Sequence, residues 1–237
     1  MEFYTRFAEY YDTIFPVDET KVSFLDKHFK RANELLDLGC ATGGYAMALS
    51  REGFQVDGID LSKEMIDLAL LKTVDEKHSV SFWVDDMRRL DAVNRYEGVY
   101  LIGNTLVHLK EMQEIYEVIT KIYKSLTRHG VFIVQIINYD RILEKDITAL
   151  PTIKKEKVSL ERNYHHKPPL IQFKTALTIN GDKYEDETEL FPLTSQALII
   201  MLETIGFEEI HSYDGFNDQL FNKENSYQLV VVAKKHE

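Results

Sequence analysis

The chain has 237 residues, 44% hydrophobic and 28% charged, with 11 Gly and 5 Pro. That composition suits a globular protein with a sizeable core and excludes collagen-like, low-complexity and largely disordered chains. Its 28 Lys and Arg face 39 Asp and Glu, a net charge of −11, which repels polyanions and makes nucleic acid a poor partner.

A single cysteine, Cys40, excludes an intrachain disulfide. The first residues have neither the basic nor the continuous apolar segment of a secretory signal, and no apolar run reaches the ~18 residues of a membrane span. The expectation is a cytoplasmic protein that touches no membrane, a monomer or homodimer, built as one domain with an insertion.

Aromatics at Phe3, Tyr4, Phe7, Tyr10, Tyr11 and Phe15 recur mostly on one helical face, and Pro16 ends that helix. Val22, Leu25 and Phe29 mark a second helix, and residues 34–38 form a short apolar run stopped by Gly39, the pattern of a buried first strand. Alternation follows: a helix over 45–51, a strand over 55–59, a helix N-capped by Ser62 with Met65, Ile66, Ala69 and Leu70 on its apolar face, and strands over 80–84 and 98–102. Met112, Ile115, Ile119, Ile122 and Leu126 keep helical spacing up to Gly130, which is expected to end the helix before a fully apolar fifth strand over 131–137. Strands separated by helices predict right-handed βαβ units and a parallel sheet covered on both faces.

The regularity breaks after Asn138. Three extended runs, 158–164, 170–179 and 183–190, are punctuated by Pro168-Pro169 and by Asn180-Gly181, a hairpin signal. A helix over 194–204 closed by Gly206 and strands over 207–213 and 227–233 resume the pattern. The predicted fold is α/β, a seven-stranded mostly parallel sheet with helices on both faces, made by residues 1–150 and 191–237, with a small antiparallel lid inserted at 151–190.

The stretch Leu35-Leu36-Asp37-Leu38-Gly39-Cys40-Ala41-Thr42-Gly43-Gly44-Tyr45 leaves the first strand and opens a helix. Gly39, Ala41, Gly43 and Gly44 let backbone approach a ligand, and the helix N-terminus offers amide donors to a carboxylate or phosphate. Asp60, at the end of the second strand, suits the two hydroxyls of a ribose. Gly39-x-Ala41-x-x-Gly44 also passes as a degenerate dinucleotide fingerprint, which keeps a nicotinamide-dependent oxidoreductase open. Asp37 argues against it, because a carboxylate beside the loop attracts an ammonium and repels a pyrophosphate. The ligand is therefore expected to carry an amino-acid end. Taken singly, Asp37 reads equally as a turn cap, Asp60 as a cap for the next helix, and residues 85–87 as a solvated turn. Cys40 has no evident partner base and reads as a small loop residue.

On these residues, from about 34 to 134 and in the final two strands, the chain resembles the class I S-adenosylmethionine-dependent methyltransferases, whose sheet is Rossmann-like. The resemblance implies S-adenosylmethionine as cofactor. It implies that Asp37, Gly39 and Ala41, with Cys40 and Gly43 in the same loop, surround the methionine moiety, and that Asp60 binds ribose. Leu61 and Met65 would flank the adenine, and Asp85-Asp86-Met87 would read its edge, with Asp86 preferred over Asp85. Gly103-Asn104-Thr105-Leu106-Val107-His108-Leu109 would floor the reaction site. Tyr4, Tyr10 and Tyr11 are candidates to cover the cofactor with an aromatic face near its sulfonium.

Asn138-Tyr139-Asp140-Arg141-Ile142-Leu143 follows the fifth strand. With the 103–109 loop and the antiparallel insertion, it is similar to the glycine and sarcosine N-methyltransferase branch. Asn138, Tyr139 and His108 are the candidates to act on the acceptor. Where that branch carries an arginine for a substrate carboxylate, before the segment matching Phe191-Pro192, this chain has Glu185-Asp186-Glu187-Thr188-Glu189. That run either favours a cationic or amine acceptor or pairs across the sheet with Lys154, Lys155, Lys157 and Arg162. Methyl transfer is an in-line displacement that needs alignment and exclusion of water more than a strong base. The expected activity is methylation of a small molecule at an amine nitrogen, with hydroxyl methylation and a non-catalytic S-adenosylmethionine-binding regulator as alternatives. His165 and His166 belong at an exposed strand end, and no spacing of His, Cys and carboxylates marks a metal site.

Overall fold

The computed structural model describes residues 2–74 and 79–236, with side chains from Thr5 onward. Helices α1 (Glu2–Ile14) and α2 (Glu19–Phe29) precede an alternating series: β1 (Glu34–Leu38), α3 (Gly44–Arg51), β2 (Gln55–Asp60), α4 (Lys63–Thr73), β3 (Val80–Val84), β4 (Tyr96–Leu101), α5 (Met112–Ser125) and β5 (Leu126–Ile137). After α6 (Tyr139–Glu144) come β6 (Ala149–Lys154), β7 (Val158–Lys167), β8 (Leu170–Ile179) and β9 (Asp182–Leu190). The chain then closes with α7 (Ser195–Ile205), β10 (Glu208–Tyr213) and β11 (Gln228–Lys234).

Seven strands form one sheet in the order β10-β11-β5-β4-β1-β2-β3. All neighbours run parallel except β11, which is antiparallel to both β5 and β10. The chain winds from β1 outward through β2 to β3, then returns to the other side of β1 for β4. Helices leave these two adjacent strands toward opposite faces, so a crevice opens at their carboxyl ends. Gly39 and Gly103 sit there, one residue past Leu38 and two past Leu101.

The core explains the strand pattern. β5 is paired on both edges and covered on both faces, and Phe132, Ile133, Val134 and Ile136 are all buried. One apolar cluster on one face joins α5 and α7, and the other joins α2, α3 and part of α4. The caps expected from sequence form: the Ser62 hydroxyl accepts from the Met65 amide at 3.2 Å, and Gly206 takes a left-handed φ of 112° at the end of α7.

Gly130 departs from expectation. Helix α5 ends at Ser125, and Gly130 lies inside β5, where the β4–β5 register shifts and His129 takes a φ of 63°. A Cβ at Gly130 would meet the Thr127 carbonyl oxygen at 2.9 Å, so the glycine serves an irregular strand start rather than a helix stop.

The inserted sheet has four antiparallel strands in the order β6-β7-β8-β9, one more than expected. The additional strand, β6, contains Pro151, which an edge strand tolerates and which hides it from a sequence reading. Asn180 and Gly181, at φ 49° and 98°, form the β8–β9 hairpin turn. The inner face packs Val158, Leu160, Leu177 and Ile179 on Ile14 of α1, with Phe7, Tyr10 and Phe15 against them. Tyr164, Ile171 and Leu190 join the main core. Helix α1 thus lies between the inserted sheet and the large one. Among the described residues, no helix is long and apolar enough to cross a membrane.

Candidate active site

Between β1 and α3 the backbone visits the left-handed region three times, at Gly39 (φ 76°), Ala41 (φ 48°) and Gly43 (φ 75°). The Gly39 and Cys40 amides both donate to the Ile59 carbonyl, at 2.8 and 2.9 Å, which holds the loop over β2. A Cβ at Gly39 would stand 2.5 Å from the Thr105 side chain, and one at Gly43 would overlap the Phe82 ring. Ala41 has no such freedom and accepts strain. Its amide donates to Asp60 Oδ2 at 2.9 Å while Asp60 Oδ1 accepts from the Ser62 amide at 2.9 Å. Asp60 therefore does cap the turn into α4, as its plainer reading holds, and also faces the cleft.

Two cavities meet at Gly39. One, of about 680 Å³, is lined by Asp60, Leu61, Asp85, Asp86, Met87 and His108 among others. The second, of about 590 Å³, is lined by Tyr11, Lys21, Asp37, Cys40, Tyr45 and Gly103 among others. Leu61 is 70% exposed on the first cavity wall, whereas Met65 is buried behind Leu61, Ser62 and Glu64 and does not form the wall. Of the two residues expected to flank the adenine, Leu61 is the one on this wall. Asp86 accepts from the Arg88 amide and pairs with the Arg88 guanidinium at 2.6 Å, which holds its carboxyl below the ordinary range. Asp85 accepts from the Asp86 amide at 2.8 Å.

Asp37 is 3% exposed, and burial, with the Asp60 charge adding to it, pushes its pKa up to about 8 against the opposing effect of the Tyr100 hydroxyl. No cation pairs with it among the described residues. A buried carboxylate facing a cavity is costly unless a cation arrives. Burial also pushes up the Cys40 thiol, which is no nucleophile, and the Tyr11 phenol, which the Asp60 and Asp37 charges help keep protonated.

Tyr11 is delivered by a latch that the sequence did not reveal. Thr42 Oγ1 donates to Asp12 Oδ1 at 2.6 Å, and Lys72 Nζ lies 2.5 Å from Asp12 Oδ2 and 3.0 Å from the Thr42 carbonyl. These three residues tie α1 across the glycine loop. Tyr10, one position earlier, turns to the inserted sheet instead. The Tyr4 side chain lies outside the described residues.

The three acceptor candidates are not brought together. Asn138 is 1% exposed: its Oδ1 caps α6 by accepting from the Arg141 amide at 3.2 Å, and its Nδ2 donates to the Lys223 and Ser226 carbonyls at 2.9 Å each. Both Nδ2 hydrogens and one lone pair of Oδ1 are thus engaged within the fold, which clamps α6 to the chain before β11. Tyr139 is fully buried, and its hydroxyl accepts from Asn104 Nδ2 at 3.0 Å and faces Tyr164 of β7. Asn104, at φ 67°, also accepts from the Ile137 amide at 2.9 Å, and the Gly103 amide donates to Gln135 at 2.7 Å. His108 lines the first cavity with Asp85 and Met87, apart from that network, and burial lowers its pKa.

The acidic run divides by strand face. Glu185, Glu187 and Glu189 point away from the core and pair with Lys183 at 2.6 Å, Lys174 at 3.3 Å and Lys110 at 2.8 Å. Only Glu187 pairs across the sheet, with Lys174 of β8; Lys183 lies on β9 itself and Lys110 outside the inserted sheet, and none of the expected partners takes part in these three pairs. Arg162 instead shares the inner face of β7 with Leu160 and Tyr164 and donates to the Pro151 carbonyl at 2.8 Å.

Comparison with known proteins agrees with this geometry. A methyltransferase-domain family model matches residues 35–130, which span the glycine loop, both cavities' β-strand ends and the start of β5. A carboxy-S-adenosyl-L-methionine synthase from Campylobacter lari (strain RM2100 / D67 / ATCC BAA-1060) is 28% identical, over 81% of this chain and 76% of that one. A glycine/sarcosine N-methyltransferase from Halorhodospira halochloris is 25% identical, over 99% of this chain and 90% of that one. In fold, the chain is similar to the crystal structure of an S-adenosylmethionine-dependent methyltransferase from Clostridium acetobutylicum ATCC 824, with a TM-score of 0.85, 16% identity and 99% of each chain covered. Family model, fold and the acid-lined glycine loop together support an S-adenosylmethionine-dependent methyltransferase, with a methyltransferase domain matched over residues 35–130 and a fold similar to the class I enzymes.

Proposed function

We propose that the chain methylates a small molecule at an amine nitrogen, with residues 151–190 acting as the lid over the acceptor. The cofactor, when bound, supplies a methyl group on a positively charged sulfur. In this reading Asp37 accepts from the cofactor's ammonium group, Gly39 lets the backbone pass close to its chain, and Asp60 takes the ribose hydroxyls. Leu61 and the 85–87 segment hold the adenine, with Asp85 rather than Asp86 at its edge because Arg88 already engages Asp86. Tyr11 covers the loop as a protonated phenol.

The nitrogen reading rests on one observation: Asn104, Tyr139 and Tyr164, the polar groups between the strand ends and the inserted sheet, are all neutral, both phenols being held protonated by burial. A hydroxyl acceptor needs a base as it attacks, whereas an amine that arrives neutral needs alignment and a proton acceptor afterwards. His108, on the cleft wall and apart from those groups, is in this reading the side chain that takes the proton after transfer rather than a base for the attack. The glycine/sarcosine relative supports the same chemistry. The test supplies labelled S-adenosylmethionine with amines and alcohols of matched skeleton and follows the mass gain of one methyl group. Label on the amines is expected. Label on the alcohols alone, or formation of carboxy-S-adenosylmethionine from the cofactor, overturns the reading.

A further inference from the structure

We infer that Lys21 is the second charged anchor of the cofactor's amino-acid end, pairing with its carboxylate as Asp37 pairs with its ammonium. Lys21 lies near the start of α2 and lines the same cavity as Asp37, Gly39 and Tyr11. Its ammonium stands 5.6 Å from the centroid of the Tyr45 ring and 5.3 Å from that of Phe216. Among the described residues it makes no side-chain hydrogen bond and no ion pair. Burial lowers its pKa, and the nearby Asp18 opposes that effect only in part. A desolvated ammonium held by two ring faces but lacking a counter-ion is an anion site in waiting.

The cavity's other charges narrow the assignment. Asp12 is engaged by Thr42 and Lys72, and Asp18 accepts from the Thr20 amide at 2.9 Å as the cap of α2. Glu19 also faces the cavity, and its negative charge suits no anion. Lys72, the nearest other lysine in the latch, already holds Asp12 and the Thr42 carbonyl. An amino-acid end carries one positive and one negative group, and the wall offers one buried carboxylate without a paired cation and one half-buried ammonium without a paired anion. The α1–α2 connection, which carries Pro16 and Val17 along this wall, thereby becomes part of cofactor recognition rather than a spacer.

The inference rests on the S-adenosylmethionine reading, and the experiment separates the two. Calorimetry compares S-adenosylhomocysteine with its decarboxylated analogue, which keeps the amine, on the wild type, Lys21→Met and Lys21→Arg; Met preserves the stem packed on Tyr45 and Phe216. Wild type is expected to bind the decarboxylated ligand at least about tenfold more weakly. Lys21→Met is expected to lose about the same factor toward S-adenosylhomocysteine and to bind both ligands equally, and Lys21→Arg to restore most of the preference. A preference that survives in Lys21→Met overturns the assignment, as does an equal loss toward both ligands. A wild type that binds the decarboxylated ligand as well as S-adenosylhomocysteine overturns it too, while failure of the wild type to bind S-adenosylhomocysteine at all removes the cofactor reading itself.

Discussion

The loop after β1 and the hairpin of the inserted sheet both rely on left-handed glycine, yet they use it differently. At Gly39 the φ of 76° comes with a wall: Thr105 stands where a side chain would be, because β1 and β4 end side by side. At Gly181 the φ of 98° comes with open space, since nothing lies within 4 Å of the position a Cβ would take. The first glycine makes room for a ligand between two chain segments, and the second only lets the chain reverse. A glycine's meaning is set by what faces it, and the same holds for charge. Asp37 is buried beside a cavity with no cation paired to it among the described residues, whereas Glu187, also among hydrogen-bonding neighbours, stands on an outward strand face opposite Lys174.

Paired substitutions sharpen the contrast. Gly39→Val is expected to cost about 3 kcal/mol or more in stability and to abolish cofactor binding, by adding steric overlap to backbone strain. Gly181→Val should cost only the backbone part, about 1–2 kcal/mol, and leave cofactor affinity intact. Urea unfolding with S-adenosylhomocysteine titration checks both. Equal costs would mean that the crowding at Thr105 relaxes away and that the two turns are equivalent.

Asn138→Ala is expected to lower stability by about 2–4 kcal/mol, because the Arg141 amide and the Lys223 and Ser226 carbonyls lose a buried partner. Turnover per folded molecule should change far less. If turnover collapses while the denaturation midpoint holds, Asn138 returns to the acceptor site.

Asp37 makes cofactor binding pH-dependent. Its carboxyl, raised from 3.8 to about 8 in the unbound protein, must release a proton before it can pair with an ammonium. Affinity is therefore expected to rise with pH up to about 8 and then level, with proton release on binding near pH 7. The unbound protein should lose stability over the same window as pH rises, because its native state holds a proton that the unfolded chain has given up. Calorimetry in buffers of different ionisation enthalpy measures the release, and Asp37→Asn should remove it together with most of the pH dependence. A flat profile in the wild type contradicts the buried-carboxylate account.

The smallest effect belongs to the inserted sheet's outer face. Glu187→Arg should change stability by less than about 1 kcal/mol, since its pair with Lys174 is half exposed and screened, and should leave acceptor preference untouched. A shift in relative turnover on cationic and anionic amines would place this face in contact with the acceptor after all.

The alternating strands and helices, the glycine loop, Asp37, Asp60, the Ser62 and Gly206 caps and the Asn180-Gly181 turn were legible in the sequence, because each depends on local dihedral preference or on the burial of one strand face. Periodicity could not show that α5 stops at Ser125, because Leu126 satisfies the helical spacing and the β-pairing with Tyr96 equally well. Nor could it show β6, whose proline is allowed only because the strand lies at an edge. The surroundings of Asn138, Met65 and Lys21 belong to tertiary structure alone. Asn138 meets carbonyls more than eighty positions away, Met65 turns behind the cleft wall, and Lys21 finds its aromatic neighbours at Tyr45 and Phe216. Local sequence specifies which backbone can bend and which side chains are charged; only the packing of distant segments decides which of those charges are buried without a partner, and so which can hold a ligand.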